Sequence, residues 1–304
     1  MRNVTAILLD GTCGELELRN PLRGEAIVRM LAAPIHPADL NTIEGKYPGN
    51  PVLGREGVGV VDTLGPDTTN PAPGTRVLIP AGVSAWSAAC LCPADLLVPV
   101  PASLSDEQAA TVRINPASAF RMLRDFVHLE PGHWVMQNAA NSAVGRAVIQ
   151  LASAWGLKTA NLVRRPELIE PLTADGADAV ILDDEHAVDR LREVAPTIRL
   201  ALNAVGGESA LRLANALAEG GTMVTYGAMG RQPLRLPNGL LIFKDIRAVG
   251  FWLTRWTQRA AEPDQSAMLR ELLALAGSGA LRTEIEKTYP LEEAPAALAH
   301  ARQG

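Results

Sequence analysis

Between residues 134 and 165 the sequence reads WVMQNAANSAVGRAVIQLASAWGLKTANLVRR, and few architectures accommodate its order of strand, tight turn, helix and second strand. Trp134 to Gln137 is a short apolar run. Ala147, Val148, Leu151 and Ala152 then recur at helical spacing, and Thr159 to Val163 is apolar and β-rich again. A parallel pair joined by a crossover helix is half of a nucleotide-binding sheet. In such units the first turn sets a pyrophosphate at a helix N-terminus, where unpaired N–H groups and the helix dipole favour an anion. Here the turn is Ala140-Asn141-Ser142-Ala143-Val144-Gly145, so G-x-G-x-x-G survives only as A-x-S-x-x-G. Small residues still allow close backbone approach and Gly145 allows tight helix-to-strand packing; by pattern alone, a phosphate turn and an ordinary buried βα corner both stand.

The end of the second strand narrows the choice. An NAD site wants an acidic residue there for the ribose 2′-hydroxyl, whereas this chain offers Arg164 and Arg165. Two guanidinium groups suit a 2′-phosphate, so NADPH is expected over NADH, with a solvated basic loop as the alternative.

At 304 residues the chain suggests two domains. Residues 1 to 112 carry short β segments punctuated by Gly and Pro: Val4 to Leu9, Leu16 to Leu18, Glu25 to Leu31, Gly57 to Leu64, Arg76 to Ile79 and Leu96 to Val100. They predict a compact barrel-like domain rather than βαβ winding. Helix begins after Ser105, a plausible N-cap. Residues 113 to 256 alternate in the doubly wound manner, with strands at Ala179 to Leu182, Leu200 to Val205 and Thr222 to Tyr226, a helix over Ser209 to Ala218, and Ile246 to Leu253 able to extend the sheet. The loops at Asn138, Asn203 to Gly207 and Tyr226 to Met229 should therefore gather at the C-terminal ends of the strands. Residues 257 to 304 predict a helix over Met268 to Ala276, a strand-like Thr288 to Leu291 and a last helix over Ala294 to Ala301.

The hydrophobic fraction of 47% and the charged fraction of 20% suit sizeable cores, and a net charge of −5 gives no general reason to expect nucleic acid or an anionic membrane as partner. Cys13, Cys90 and Cys92 form neither a disulfide framework nor a C-x-x-C knuckle. No apolar run approaches the roughly 20 residues of a membrane span, and MRNVTAILLD enters a strand pattern at once. A reduced cytoplasm, without signal or transit peptide, is the expected compartment.

Six segments spread over the chain carry a resemblance: VRMLAAPIHPADLNTIEGKYP (28 to 48), INPASAFRMLRDF (114 to 126), QNAANSAVGRAVIQLA (137 to 152), LALNAVGG (200 to 207), GGTMVTYGAMGRQP (220 to 233) and LIFKDIRAVGFWLTRW (241 to 256). With them the chain resembles the zinc-independent branch of the medium-chain dehydrogenase/reductase superfamily, and within it the mitochondrial-type 2-enoyl thioester reductases. The resemblance implies an α/β architecture: a GroES-like β-rich catalytic domain, built from the N-terminal part and the C-terminal segment, plus a Rossmann domain.

It also implies the chemistry. Zinc-dependent relatives place ligands where this chain has Ile35-His36-Pro37 and Gly54-Arg55-Glu56, and an arginine cannot ligate zinc, so no metal is expected and His36 is read as a hydrogen-bonded structural residue. Reducing an enoyl thioester takes a hydride to Cβ, supplied by the nicotinamide, a stabiliser for the enolate oxygen and a proton for Cα. A tyrosine, with an unperturbed pKa of about 10, can keep that proton at neutral pH. By resemblance Tyr47, in G-K-Y-P, is the proton donor; the alternative is a rim aromatic anchoring the loop before Pro48.

Cofactor contacts are implied for Asn115, for Asn141, Ser142, Ala143, Val144 and Gly145 at the pyrophosphate, for Arg164 and Arg165, for Tyr226, Gly227, Ala228 and Met229, and for Phe251, Trp252, Leu253 and Thr254 near the nicotinamide. Asn115 could equally be an Asx-turn or helix cap before Pro116, and Phe251 to Thr254 a buried apolar strand. Trp86 lines the acyl pocket or packs in a core. Substrates would be enoyl thioesters of CoA or acyl carrier protein, and a homodimer through edge strands near Val249 to Leu253 is the family expectation. A quinone or enone reductase and a non-catalytic NADPH-binding protein are the competing readings.

Two departures stand out. Ala143 replaces the family's usual Gly, adding one methyl at the phosphate turn. Family members also continue past H-x-x-x-Q-G into a further strand whose lysine contacts the cofactor, whereas this sequence stops at Gly304, so an exposed sheet edge and weakened NADPH affinity are expected.

Overall fold

The computed structural model describes every residue except Pro48, Pro196 and Gly304. Along the chain run β1 (Arg2–Ile7), β2 (Cys13–Leu18), β3 (Glu25–Ala32), α1 (Pro37–Ile43), β4 (Val58–Leu64), β5 (Arg76–Leu78), β6 (Ala89–Pro93), β7 (Val98–Pro99), α2 (Asp106–Ala110) and α3 (Asn115–Asp125). There follow β8 (Trp134–Gln137), α4 (Ala143–Ala154), β9 (Lys158–Val163), α5 (Ile169–Ala174), β10 (Ala179–Leu182), α6 (Ala187–Val194), β11 (Ile198–Asn203), α7 (Gly207–Ala216) and β12 (Thr222–Thr225). Last come α8 (Asn238–Ile242), β13 (Arg247–Gly250), α9 (Leu253–Arg259), α10 (Glu262–Gly277) and α11 (Ala294–Ala301). Two compact units result: residues 1–114, 261–279 and 284–304, and residues 115–260 with 280–283.

The first unit is antiparallel. β1 and β2 form a hairpin, and a five-stranded sheet runs β6-β3-β4-β5-β7. Val28, Val61, Val77, Ile79 and Cys92 form its core with Ala294 and Leu298 of α11. Ser105 caps α2 by accepting a bond from the N–H of Gln108, as a serine before an acidic first turn should.

The second unit is a six-stranded parallel sheet in the order β10-β9-β8-β11-β12-β13. Val135, Met136, Ala160, Leu162, Leu200, Leu202, Met223 and Val224 are fully buried in these strands, the continuous apolar pattern of a sheet covered on both faces. Numbered within this unit the order is 3-2-1-4-5-6. The strand order reverses beside β8, and ligands of such sheets bind beyond the strand C-termini at that point.

Three local expectations change. β6 was not expected, because Ala-Cys-Leu-Cys-Pro lacks β-branched residues; pairing of Val28 with Cys90 and Ala26 with Cys92 imposes it. Thr288 to Leu291 is not a strand: Pro290 offers no N–H to a ladder, and Leu291–Glu293 is a 3-10 turn leading into α11. Within Leu96 to Val100, a 3-10 turn at Ala94–Leu96 leaves only Val98–Pro99 as strand.

Candidate active site

In the second unit β8 delivers the chain into the turn that the sequence singles out. Ala139 takes a left-handed φ of 50°, and Ser142 becomes the N-cap of α4, its Oγ accepting from the Gly145 N–H at 3.1 Å. The N–H groups of Ala143 and Val144 lie in the first helical turn, where no carbonyl of the helix reaches them. Gly145 is obligatory, since a Cβ there would lie 2.5 Å from the Ala140 carbonyl oxygen. The corner is locked from beneath: Gln137 Nε2 donates to the Gly145 carbonyl and to Asn161 Oδ1, both at 2.8 Å. Asn141 and Ala143 are exposed, so the extra methyl of Ala143 meets no packed neighbour.

The three expected loops do gather. Asn138 Nδ2 donates to Asn203 Oδ1 and Ser209 Oγ, each at 2.9 Å, while Asn138 Oδ1 accepts from Ala204 N at 2.7 Å. Asn203 Oδ1 caps the Gly206 N–H at 3.0 Å, and Asn203 Nδ2 reaches Thr225 Oγ1 at 3.1 Å. Tyr226 N then bonds to the Asn203 carbonyl and Met229 N to the Ala204 carbonyl. A Cβ on Gly227 would come within 3.0 Å of that same Ala204 oxygen. Ala228 and Met229 face solvent. The Tyr226 hydroxyl is buried beside Ser142 without a well-formed hydrogen bond, and burial pushes the phenol up to about 12.

Arg164 and Arg165 emerge exposed from the C-terminal end of β9, Arg165 Nε lying 3.5 Å from Glu167. Asn115 is the half-buried first residue of α3. The segment at Phe251 corrects the expectation of a continuing strand. β13 ends at Gly250, Phe251 N makes one more bond to Thr225 O, and α9 begins at Leu253. Phe251 meets Phe126 edge-to-face at 6.0 Å; Trp252 is 59% exposed and Thr254 faces solvent, so this is no buried apolar strand.

In the first unit Tyr47 is 51% exposed on the loop that leaves α1, its N–H bonded to the Asn41 carbonyl at 3.3 Å. Pro48, which follows it, lies outside the described residues. A cavity of about 260 Å³ lies nearby, lined by Asp39, Thr42, Gly49, Asn50, Val52, Leu53, Gly54 and Arg55. Trp86 is 6% exposed within the core, and its indole N–H donates to the Pro34 carbonyl at 3.1 Å; these are the contacts of a packing residue.

His36 is hydrogen-bonded: its Nε2 lies 2.8 Å from Glu56 Oε1, while Glu56 Oε2 accepts the Arg113 N–H at 2.7 Å and the Ile114 N–H at 3.1 Å. Burial opposes a charge on His36, but the hydrogen bond and charge of Glu56 outweigh it, and the imidazole is shifted upward. Asp39 is also shifted upward, by burial, against the pull of His36 and Arg55. Among the described residues no three His, Cys, Asp or Glu side chains form a metal-holding group, and no helix is long and apolar enough to cross a membrane.

Sequence reasoning missed Glu56 in the first unit, and Asn203 and Gln137 in the second, as residues that fix the loops around them. The available signal was polarity inside apolar runs, as in Trp-Val-Met-Gln and Leu-Ala-Leu-Asn.

Comparison with known proteins sets this geometry among relatives. Residues 22–104 match the alcohol dehydrogenase GroES-like domain, and residues 176–304 a family described as zinc-binding dehydrogenase. The mitochondrial enoyl-[acyl-carrier-protein] reductase of Xenopus tropicalis is 40% identical over 298 residues, covering 93% of this chain and 85% of that one. The enzyme of the same name from Homo sapiens is 42% identical over 301 residues, covering 93% and 80%. A solved Etr1p/NADP/crotonyl-CoA complex superposes with a TM-score of 0.89 at 27% identity, over 100% of this chain and 98% of that one. The cytoplasmic expectation is corrected by these relatives, whose names place them in mitochondria.

Proposed function

The chain belongs to the mitochondrial-type enoyl thioester reductase family of the zinc-independent medium-chain dehydrogenases/reductases, and from that premise we propose how its residues carry out the NADPH-dependent reduction of trans-2-enoyl thioesters to acyl thioesters. The observation that carries the reading is the turn at Ser142. A capped helix N-terminus with two free N–H groups, a glycine with no room for a Cβ and two arginines at the end of the next strand together fit a dinucleotide bearing a 2′-phosphate. When bound, NADPH supplies the hydride that reaches Cβ of the enoyl group.

The remaining tasks fall to the protein. Asn141 to Gly145 hold the pyrophosphate, and Arg164 and Arg165 pair with the 2′-phosphate as planar donors. Tyr226 to Met229, with Asn115, hold the body of the cofactor, and Phe251 to Thr254 bound its nicotinamide end. Tyr47 carries the proton that Cα receives after hydride addition, its O–H being a neutral donor on an accessible loop. Substrates carried by CoA or by acyl carrier protein present the same thioester to that hydroxyl. We place Trp86 in the core, behind the acyl site. A second copy of the chain would cover the β13 edge, where Ile242, Phe243 and Trp252 are 68%, 83% and 59% exposed; light scattering that gave a monomer mass would remove this part.

The test is NADPH oxidation with crotonyl-CoA, 2-decenoyl-CoA and a simple quinone, for the wild type and Tyr47→Phe. We expect turnover of the thioesters, and a kcat lowered by about 100-fold in the variant with KM little changed, as for a lost general acid. Turnover of the quinone alone would replace this reading by that of a quinone reductase.

A further inference from the structure

The first unit contains a half-buried arginine, Arg55, with no assigned task, and its contacts lead to the loop of Tyr47. That loop rides on the last turn of α1: Gly45 N bonds to the Thr42 carbonyl at 3.0 Å, and Lys46 N and Tyr47 N bond to the Asn41 carbonyl at 2.8 and 3.3 Å. Gly45 adopts a φ of 73°, the left-handed conformation that reverses the chain after a helix. Leu40 and Ile43 pack one side of α1 against the core, but Asp39 and Thr42 border the 260 Å³ cavity. On that side apolar packing cannot fix the helix, and polar contacts must do so.

Thr42 makes those contacts in three directions. Its Oγ1 donates to the Ala38 carbonyl at 2.9 Å and accepts from Arg55 Nη2 at 2.7 Å. Its methyl group touches the far side of the loop, since a Cβ on Gly49 would lie 2.3 Å from Thr42 Cγ2. The chain before Tyr47 and the chain after it are thus both held at Thr42, and Thr42 is held by Arg55.

Arg55 is drawn in by charge. Its Nε lies 3.4 Å from Oδ1 of Asp39, an ion pair without a formed hydrogen bond, and Asp39 is 1% exposed, its Oδ2 accepting the His36 N–H at 2.9 Å. The next residue, Glu56, is clamped by His36 and by two backbone N–H groups. A planar guanidinium drawn to a buried carboxylate at one edge, and bonded to Thr42 Oγ1 at the other, keeps its fork toward α1.

We propose that Arg55 is a positioning residue for the reduction, fixing the backbone of Tyr47 through Thr42; the inference rests on the role given to Tyr47 above. Arg55 touches neither substrate nor cofactor in this scheme. It sets where the phenol stands, and a displacement of about 1 Å there costs on the order of 100-fold in rate.

Hydrogen exchange and kinetics, measured together on the full chain, test this. In Thr42→Val and Arg55→Met, amide exchange at Gly45, Lys46 and Tyr47 should rise about tenfold, the yield of losing one hydrogen bond to a charged group. In both, kcat with crotonyl-CoA should fall at least about tenfold while KM for NADPH stays unchanged. Thr42→Ser keeps the hydroxyl and should restore both readouts to near wild type. Exchange at the loop unchanged in both variants overturns the link between Arg55 and Tyr47, whatever the substrate. Faster exchange with kcat unchanged overturns the positioning role. If Arg55→Met also loses protection throughout β3 and β4, Thr42→Val, which leaves the ion pair intact, decides the matter. A wild type that reduces no enoyl thioester defeats the parent reading instead, and the exchange arm still reports on Arg55.

Discussion

The two units hold their candidate residues with different chemistry. In the first, buried charge does it: Glu56 gathers His36 Nε2 and two backbone N–H groups, and Asp39 faces Arg55. In the second, neutral amides do most of it: Gln137, Asn138, Asn161 and Asn203 bond to one another and to the loops above them, and charge enters only where Ser209 passes the network on to the Asp183–Arg212 pair. A buried charge gives strong, directional contacts that fail badly when one partner goes, whereas an amide network loses one modest bond at a time. On the proposed reading the second unit also admits a polyanion beside the Ser142 turn, where a buried carboxylate has to be neutralised, as Asp183 is by Arg212 at 2.9 Å. The first carries no such demand.

Removing the centre of each network breaks the symmetry of this comparison most strongly. Glu56→Ala leaves His36 and two part-buried backbone N–H groups without an acceptor and should cost about 3–5 kcal/mol. Asn138→Ala removes three neutral bonds and should cost about 1–3 kcal/mol. Denaturant titration followed by hydrogen exchange in each unit checks both, because a chain of two units need not unfold in one step. Equal losses would mean that the charge of Glu56 gives no advantage over an amide.

A smaller effect belongs to the cofactor side. Arg164→Ala and Arg165→Ala together should raise KM for NADPH by about tenfold or more, while leaving KM for NADH nearly unchanged. The preference should also shrink with added salt, since both side chains are exposed. Equal effects on the two cofactors would assign the pair to a solvated loop.

How much of this was legible in the sequence follows the same division. The second unit was readable because period and motif coincide: apolar runs such as Ala179 to Leu182 became strands with the expected bounds, and Ser142, Gly145 and the arginines fell at one end of one sheet. The first unit was less so. β6 exists through its pairing with β3, a contact between residues about sixty positions apart that no local pattern records. The triplet Gly54-Arg55-Glu56 could be read as the loss of a zinc ligand. That Glu56 is buried and Arg55 bonded to Thr42 depends on residues brought in from 36 to 42 and from 113 to 114. At Phe251 to Thr254 an apolar run left a buried strand open as the alternative to a cofactor contact, and that alternative goes because the backbone turns into α9 and leaves Trp252 in solvent.

The smallest expected effect sharpens the comparison through pH. His36 has its folded pKa raised above the ordinary 6.5. Its contribution to stability is therefore fully present below pH 6.5 and is lost as pH rises through the folded value, because the folded state then holds a proton that the unfolded state has released. Asp39, also raised, gives the same sign, its loss beginning above 3.8. At the Ser142 turn the corresponding group is Tyr226, raised from 10 to about 12, so its loss begins only above pH 10. As pH rises from 6.5 toward 10 the first unit should thus lose stability while the Ser142 turn does not. Protection of the Arg113 and Ile114 amides, corrected for intrinsic exchange, should fall over that range, with protection in α4 steady. His36→Gln should flatten the profile by removing the group that titrates, at some cost in stability at its acid end. A slope that survived His36→Gln would mean that the titrating group lies elsewhere, and that the His36–Glu56 pair holds the first unit by its neutral hydrogen bonds alone.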